Sequence, residues 1–157
     1  MFKAVFEFEN FLHRLKPVTA IISFLFPLTI LITLGPLDSI SASWKTSLQP
    51  MFIVTNALTS YFFFELKKWR LPAFFLLLLT AFNFNDYEIV HNISAVLFFI
   101  LCIRGLYFIK KFRIYVLVYM LSPIIWIISN LFWFEVYAIS TLCLYHLNLI
   151  YYIRYKL

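Results

Sequence analysis

Glu88, His91 and Asn92 stand at i, i+3 and i+4, with Asp86 just ahead of them and an uninterrupted apolar run behind. On a helix those offsets share one face, so a carboxyl, an imidazole and an amide converge there. Such a set can hold a divalent cation or orient an imidazole through a carboxylate. A metal site wants three or more ligands, and the plainer reading is a hydrogen-bonded helix start with Asp86 at its N-cap and His91 in a buried hydrogen bond. His146 invites a second idea, a haem held between two histidines. At about 1.5 Å of rise per residue, His91 and His146 differ in depth by roughly 10 Å, which does not suit one iron. His13 falls in a surface segment. Ser39, Ser41 and Ser43 could join His91 and an acid in a hydrolase triad, but no fixed spacing links them. No phosphate loop, metalloprotease motif or cofactor signature is present. The expectation is a non-enzymatic protein with no metal and no cofactor, an intramembrane metal-dependent hydrolase being the enzyme alternative.

These residues lie in a chain that is 64% hydrophobic, 22% aromatic and 13% charged, with a mean hydropathy of +0.91. A soluble chain of 157 residues cannot hide so much apolar surface in one core, so the bilayer is its solvent. A membrane barrel would show apolar and polar residues alternating strictly over segments of about 10 residues, which is not the pattern here. The fold expected is all-α, a polytopic transmembrane helical bundle. Cys102 and Cys143 stand alone in apolar runs and read as buried core thiols. The formal charge of +6 raises nucleic acid as a partner; where the charges fall excludes it.

Residues 1–16 read as a cytoplasmic amphipathic helix lying on the membrane, with Phe2, Val5, Phe6, Phe8, Leu12 and Leu15 facing it. Residues 17–157 read as a six-span domain, with spans at about 18–34, 49–66, 71–84, 87–103, 114–131 and 134–153. Pro27 kinks the first span and Gly35-Pro36 stops it. Pro72 sits in the first turn of the third, where its missing N–H costs nothing. A tight turn at residues 83–86 folds spans three and four into a hairpin, Gly105 marks the end of span four, Pro123 bends span five, and a turn at 132–135 leads into span six. With the N-terminus and the even-to-odd loops counted as one side, Lys3, Arg14, Lys16, Lys67, Lys68, Arg70, Arg104, Lys110, Lys111, Arg113, Arg154 and Lys156 fall together and only Lys45 lies opposite. The positive-inside bias then places both termini in the cytoplasm and the protein in the cell inner (plasma) membrane. The positive charge marks topology and attraction to anionic lipid rather than nucleic acid.

Polar residues gather in the outer half or near the middle, among them Asn56, Thr59, Ser60, His91, Asn92, Ser94, Asn130 and Thr141, whereas the inner half is nearly pure Phe, Leu and Ile. Unpaired polar groups in hydrocarbon are costly, so these are expected to face one another as an outward-opening vestibule. Its expected ligand-binding residues are His91, Asn92, Glu88, Asp86, Asn56 and Asn130. The competing reading makes them interhelical glue, at ~0.6–2 kcal/mol per contact. With both glycines in turns, close glycine-mediated helix packing is not expected, and polar and aromatic contacts must hold the bundle together. The segment Ser39-Ile40-Ser41-Ala42-Ser43-Trp44 ahead of span two, and His91-Asn92 entering span four, resemble the Frag/DRAM/Sfk-like family of small membrane proteins. That resemblance implies a compact six-span bundle and brings no activity with it. The function expected is binding of a lipid, small ligand or partner protein through the vestibule, with the bilayer and a membrane protein partner or second copy as neighbours. A toxin-immunity or accessory subunit is one alternative and a transporter or channel another.

Overall fold

The structure is a computed structural model describing the backbone of residues 2–84, 86–107 and 109–156, and the side chains of residues 15–153 apart from 85 and 108. The amphipathic face expected over residues 1–16 rests on side chains 2–14, which lie outside the described residues. Among the described residues no strand forms. Helix α1, Phe2–Leu34, runs unbroken through both the segment expected on the membrane surface and the first span, with Pro17 and Pro27 inside it. It ends at Gly35, whose φ of 75° closes a left-handed cap and whose N–H reaches the Leu31 carbonyl at 3.2 Å.

A 3-10 turn, Ile40–Lys45, leads into α2, Gln49–Glu65, which opens on Pro50. Then come α3, Arg70–Ala81, and α4, Glu88–Leu106. The fifth expected span is two helices, α5, Ile114–Tyr119, and α6, Ser122–Ile128. Pro123 has no N–H for the Tyr119 carbonyl, and the Ser122 hydroxyl donates to that carbonyl instead at 2.7 Å. Helix α7, Leu131–Lys156, starts earlier than expected. Asn130 is the reason: its Oδ1 accepts the Trp133 N–H at 3.2 Å, so the turn falls at Ser129-Asn130 and the aromatic run 132–134 is already helical. Glu135 thereby moves from a turn into the helix.

Among the described residues, four stretches are long and apolar enough to cross a membrane: Leu15–Leu34, Glu88–Leu106, Lys110–Ile128 and Leu131–Ile153. At about 1.5 Å per residue, α2 and α3 are shorter, roughly 25 and 18 Å. The exterior is apolar, with Ile32 and Ile127 each 83% exposed. Patches of that kind belong against lipid.

The helices pack in sequence as a ring, α1 on α2, α2 on α3, α3 on α4, α4 on α5, then α5 and α6 on α7, which returns to α1. The short links make neighbours antiparallel and give the bundle two distinct ends. At one, Lys16 pairs with Glu65, Lys111 lies 4.7 Å from the Tyr152 ring centroid, and the 66–69 and 107–113 links carry the basic clusters. At the other, Glu135 accepts the Ile40 N–H, and Lys45 sits 5.1 Å from the Phe84 ring centroid.

Candidate functional site

The acidic turn and His91 form a staple between α3 and α4. His91 is fully buried, and its Nδ1 lies 2.9 Å from the Phe82 carbonyl, one of the groups left without an intrahelical partner where α3 ends. Its ring meets Phe84 edge to face at 5.4 Å. Asp86 does not cap α4: Tyr87 occupies that position with no side-chain bond, and Asp86 Oδ2 accepts from Asn83 Nδ2 at 2.8 Å. Asp86, Glu88 and Asn92 are exposed beside it. Among the described residues no three His, Cys, Asp or Glu side chains gather.

The link ahead of α2 is folded into the bundle rather than lying over it. Ser39 Oγ accepts the Ala42 N–H at 3.2 Å, and Ile40, Ser41, Ser43 and Trp44 are all buried. Trp44 packs on Phe52 at 5.8 Å, and Phe52 on Phe26 at 6.1 Å. From across the bundle the Glu135 carboxyl, itself 5% exposed, accepts the Ile40 N–H and so caps the turn.

Between α1 and α2 on one side and α7 on the other lies a half-enclosed cavity of about 160 Å³, floored by residues of α3 and α4. Helix α7 lines it with Glu135, Leu142, His146, Leu149 and Ile153. Their offsets follow the helical period and keep them on one face. Glu135 and Ile153 are eighteen positions apart, so the slot runs about 27 Å along the helix. Lys16 and Leu66 stand at its basic end, Ile40 and Ser41 at the other, and Phe26, Phe52 and Phe98 line the apolar middle. Two hydroxyls that line it, Ser23 and Thr59, and Ser60 near them are already engaged. Ser23 and Thr59 bond each other at 3.0 Å, Thr59 also reaches the Thr55 carbonyl at 2.8 Å, and Ser60 donates to the Ala73 carbonyl at 2.7 Å.

Towards the basic end the slot is backed by a cluster of aromatic rings. Trp69, 2% exposed, lies 4.7 Å from Phe63, 4.4 Å from His146 and 5.7 Å from Tyr145. Its indole also rests directly on Gly105, which belongs to the last turn of α4 and makes close helix contact possible there.

Of the six residues expected to bind a ligand, Asn56 lines the cavity. His91 is turned to Phe82, Asp86, Glu88 and Asn92 lie at the exposed hairpin, and Asn130 caps α7. Glu135 was legible as an acid on the same helical face as Leu142 and His146, had its turn been placed three residues earlier. No family model, no curated protein and no solved structure matches this chain.

Proposed function

We propose that this chain is a non-enzymatic inner-membrane protein that crosses the bilayer six times with both termini in the cytoplasm, and that its cavity holds one alkyl chain of a lipid. The crossing number rests on the antiparallel ring, in which the shorter α2 and α3 form a pair between α1 and α4. The orientation rests on the basic clusters of the 66–69 and 107–113 links, which share one end. A maleimide that cannot cross membranes should label cysteines placed at Asp38 and at Lys110 from opposite faces, with the native Cys102 and Cys143 too buried to interfere. Labelling of both from one face would overturn the topology. The resemblance to Frag/DRAM/Sfk-like proteins, carried by residues 39–44 and His91-Asn92, accords with six passes and lends no activity to this reading.

The cavity carries the functional reading. An apolar cavity of about 150 Å³ stays dry and takes a benzene-sized guest. The slot is half open and its lining runs along most of α7, so a single alkyl chain can lie in it with one side towards the bilayer, while a volume of about 160 Å³ excludes a two-chain phospholipid. Glu135 and His146 are eleven positions apart on α7, about 16 Å, so they do not act on one substrate atom as an acid–base pair. A single-chain probe bearing a diazirine should cross-link to residues of the apolar middle such as Phe52, Phe98 and Leu142. Ala20, small and 8% exposed, lines the slot, and Ala20→Phe should fill it and abolish that labelling. Labelling confined to the outer surface around Ile32 and Ile127, or unchanged by Ala20→Phe, would sink the reading.

A further inference from the structure

We infer that Glu135 and Ser41 form a head-group site at the end of the cavity remote from the basic links, and that the alkyl chain held there ends in a primary amine. The inference rests on the alkyl-chain reading of the cavity. Glu135 and Ser41 both line that end, and both are buried. One hydrogen bond brings them together: Glu135 Oε2 accepts the Ile40 N–H, and Ser41 is the next residue. Oε2 is thereby engaged by the backbone. Oε1 and Ser41 Oγ have no hydrogen-bond partner among the described residues, yet neither is sealed inside the protein as Ser43 Oγ and Trp44 Nε1 of the same turn are. In side chains so little exposed, the surface those two oxygens keep opens on the cavity that the residues line.

Both oxygens can accept a hydrogen bond, and a carboxylate calls for a positive partner. Among the described residues Glu135 makes no ion pair, and Lys45, the basic residue of the link, lies over the Phe84 ring instead. A divalent cation wants six or more oxygen ligands or a gathering of side-chain donors, and among the described residues no three His, Cys, Asp or Glu side chains meet. A primary ammonium suits the pair better. It carries three N–H donors on one small atom, so one can reach Oε1 and another Ser41 Oγ. Its charge and that of the carboxylate offset each other where either alone would be desolvated at a cost. A hydroxyl head offers a single donor and no charge, and a quaternary ammonium offers no donor at all. With the nitrogen seated at Glu135, the chain runs along α7 past Phe52, Phe98 and Leu142.

The test compares hexadecylamine with hexadecanol, which keeps the chain and replaces the head. The full chain is placed in nanodiscs of dioleoylphosphatidylcholine, a lipid whose headgroup has no N–H donor. Each probe then competes with the single-chain diazirine for labelling of the apolar middle. Hexadecylamine is expected to displace the label at roughly tenfold lower concentration than hexadecanol. Glu135→Gln keeps an acceptor and the volume but removes the charge, so in that variant the amine should compete only at the alcohol's level. Trp44 fluorescence shows whether the turn is still in place there, and the comparison on the unsubstituted protein stands without the variant. Equal competition by amine and alcohol in the unsubstituted protein, or an amine preference that survives Glu135→Gln, overturns the inference and leaves the alkyl-chain reading standing. Failure of both probes to compete overturns the two together.

Discussion

Replacing Gly105 with leucine is expected to destabilise the bundle by about 3 kcal/mol or more, beyond the usual cost of an overpacked core site. A Cβ at this position would come within 2.5 Å of Trp69 Cε2 and 2.7 Å of Cδ2 and Cζ2. Atoms do not approach so closely, so the indole or the helix must shift. The indole has little room to do so, because it is 2% exposed and wedged among Phe63, Tyr145 and His146. Alanine exposes the competition of effects. Glycine costs a helix interior about 1 kcal/mol relative to alanine, so Gly105→Ala would stabilise α4 if the space were open. Overpacking costs typically 1–3 kcal/mol, so the expected net result is a loss. Thermal unfolding in lipid discs reads the sign directly, and Gly105→Ala should be partly rescued by Trp69→Phe, which trims the clashing ring system. Because the two residues touch, their effects should fail to add. An alanine variant as stable as the unsubstituted protein would show that the indole does not rest on Gly105.

The same contact shows what was legible in the sequence and what was not. Periodicity and apolar runs locate helices well, and Pro50, Pro72 and Pro123 stand where helices open or break. The charge pattern groups the basic links at one end because that grouping depends only on the order of spans, not on their packing. Gly105 read as a helix stop because a glycine near a basic cluster is a common C-terminal signal. That an indole from the distant 66–69 link would lie on it is a tertiary fact with no local signature. The loop at residues 35–48 carries no local sign of burial, since a polar, serine-rich stretch resembles a solvated link. Its burial depends on a partner ninety-five positions away, the Glu135 carboxyl.

The site was less legible than the fold for a related reason. Depth arithmetic placed the polar residues in one half of the bundle, but depth does not say which way a side chain turns. Ser129 and Thr141 turn back to carbonyls four residues earlier on their own helices, at 2.6 and 2.9 Å. His91 turns to the end of α3. Hydroxyls satisfied within a helix are unavailable to line a vestibule, and this leaves a cavity whose walls are chiefly Phe, Leu and Ile. Asn56 lines it through its place on α2, beside Thr55.

Glu135→Ala is expected to cost about 2–4 kcal/mol, the sum of a buried backbone N–H left without an acceptor and the volume vacated. An acid inside a membrane-spanning stretch is expensive and calls for a reason. Here the carboxyl takes the first N–H of the Ile40–Lys45 turn, a group that the turn itself cannot satisfy. Ser39 supplies the other cap, from within the link, to Ala42. The two bonds differ in reach: Ser39 shapes the turn locally, whereas Glu135 fastens it to α7 and so closes the end of the cavity remote from the basic links. Glutamine keeps an acceptor oxygen and nearly the same volume, so Glu135→Gln should stay within about 1 kcal/mol of the unsubstituted protein. Alanine should also release the link. Trp44, 8% exposed and packed on Phe52, should then shift its fluorescence to the red, and trypsin should gain access to the chain after Lys45. If alanine and glutamine behave alike, with Trp44 unmoved in both, the hydrogen bond to Ile40 is not what fastens the turn. If alanine alone loosens it, a single carboxyl on α7 both holds the loop and sets the length of the slot.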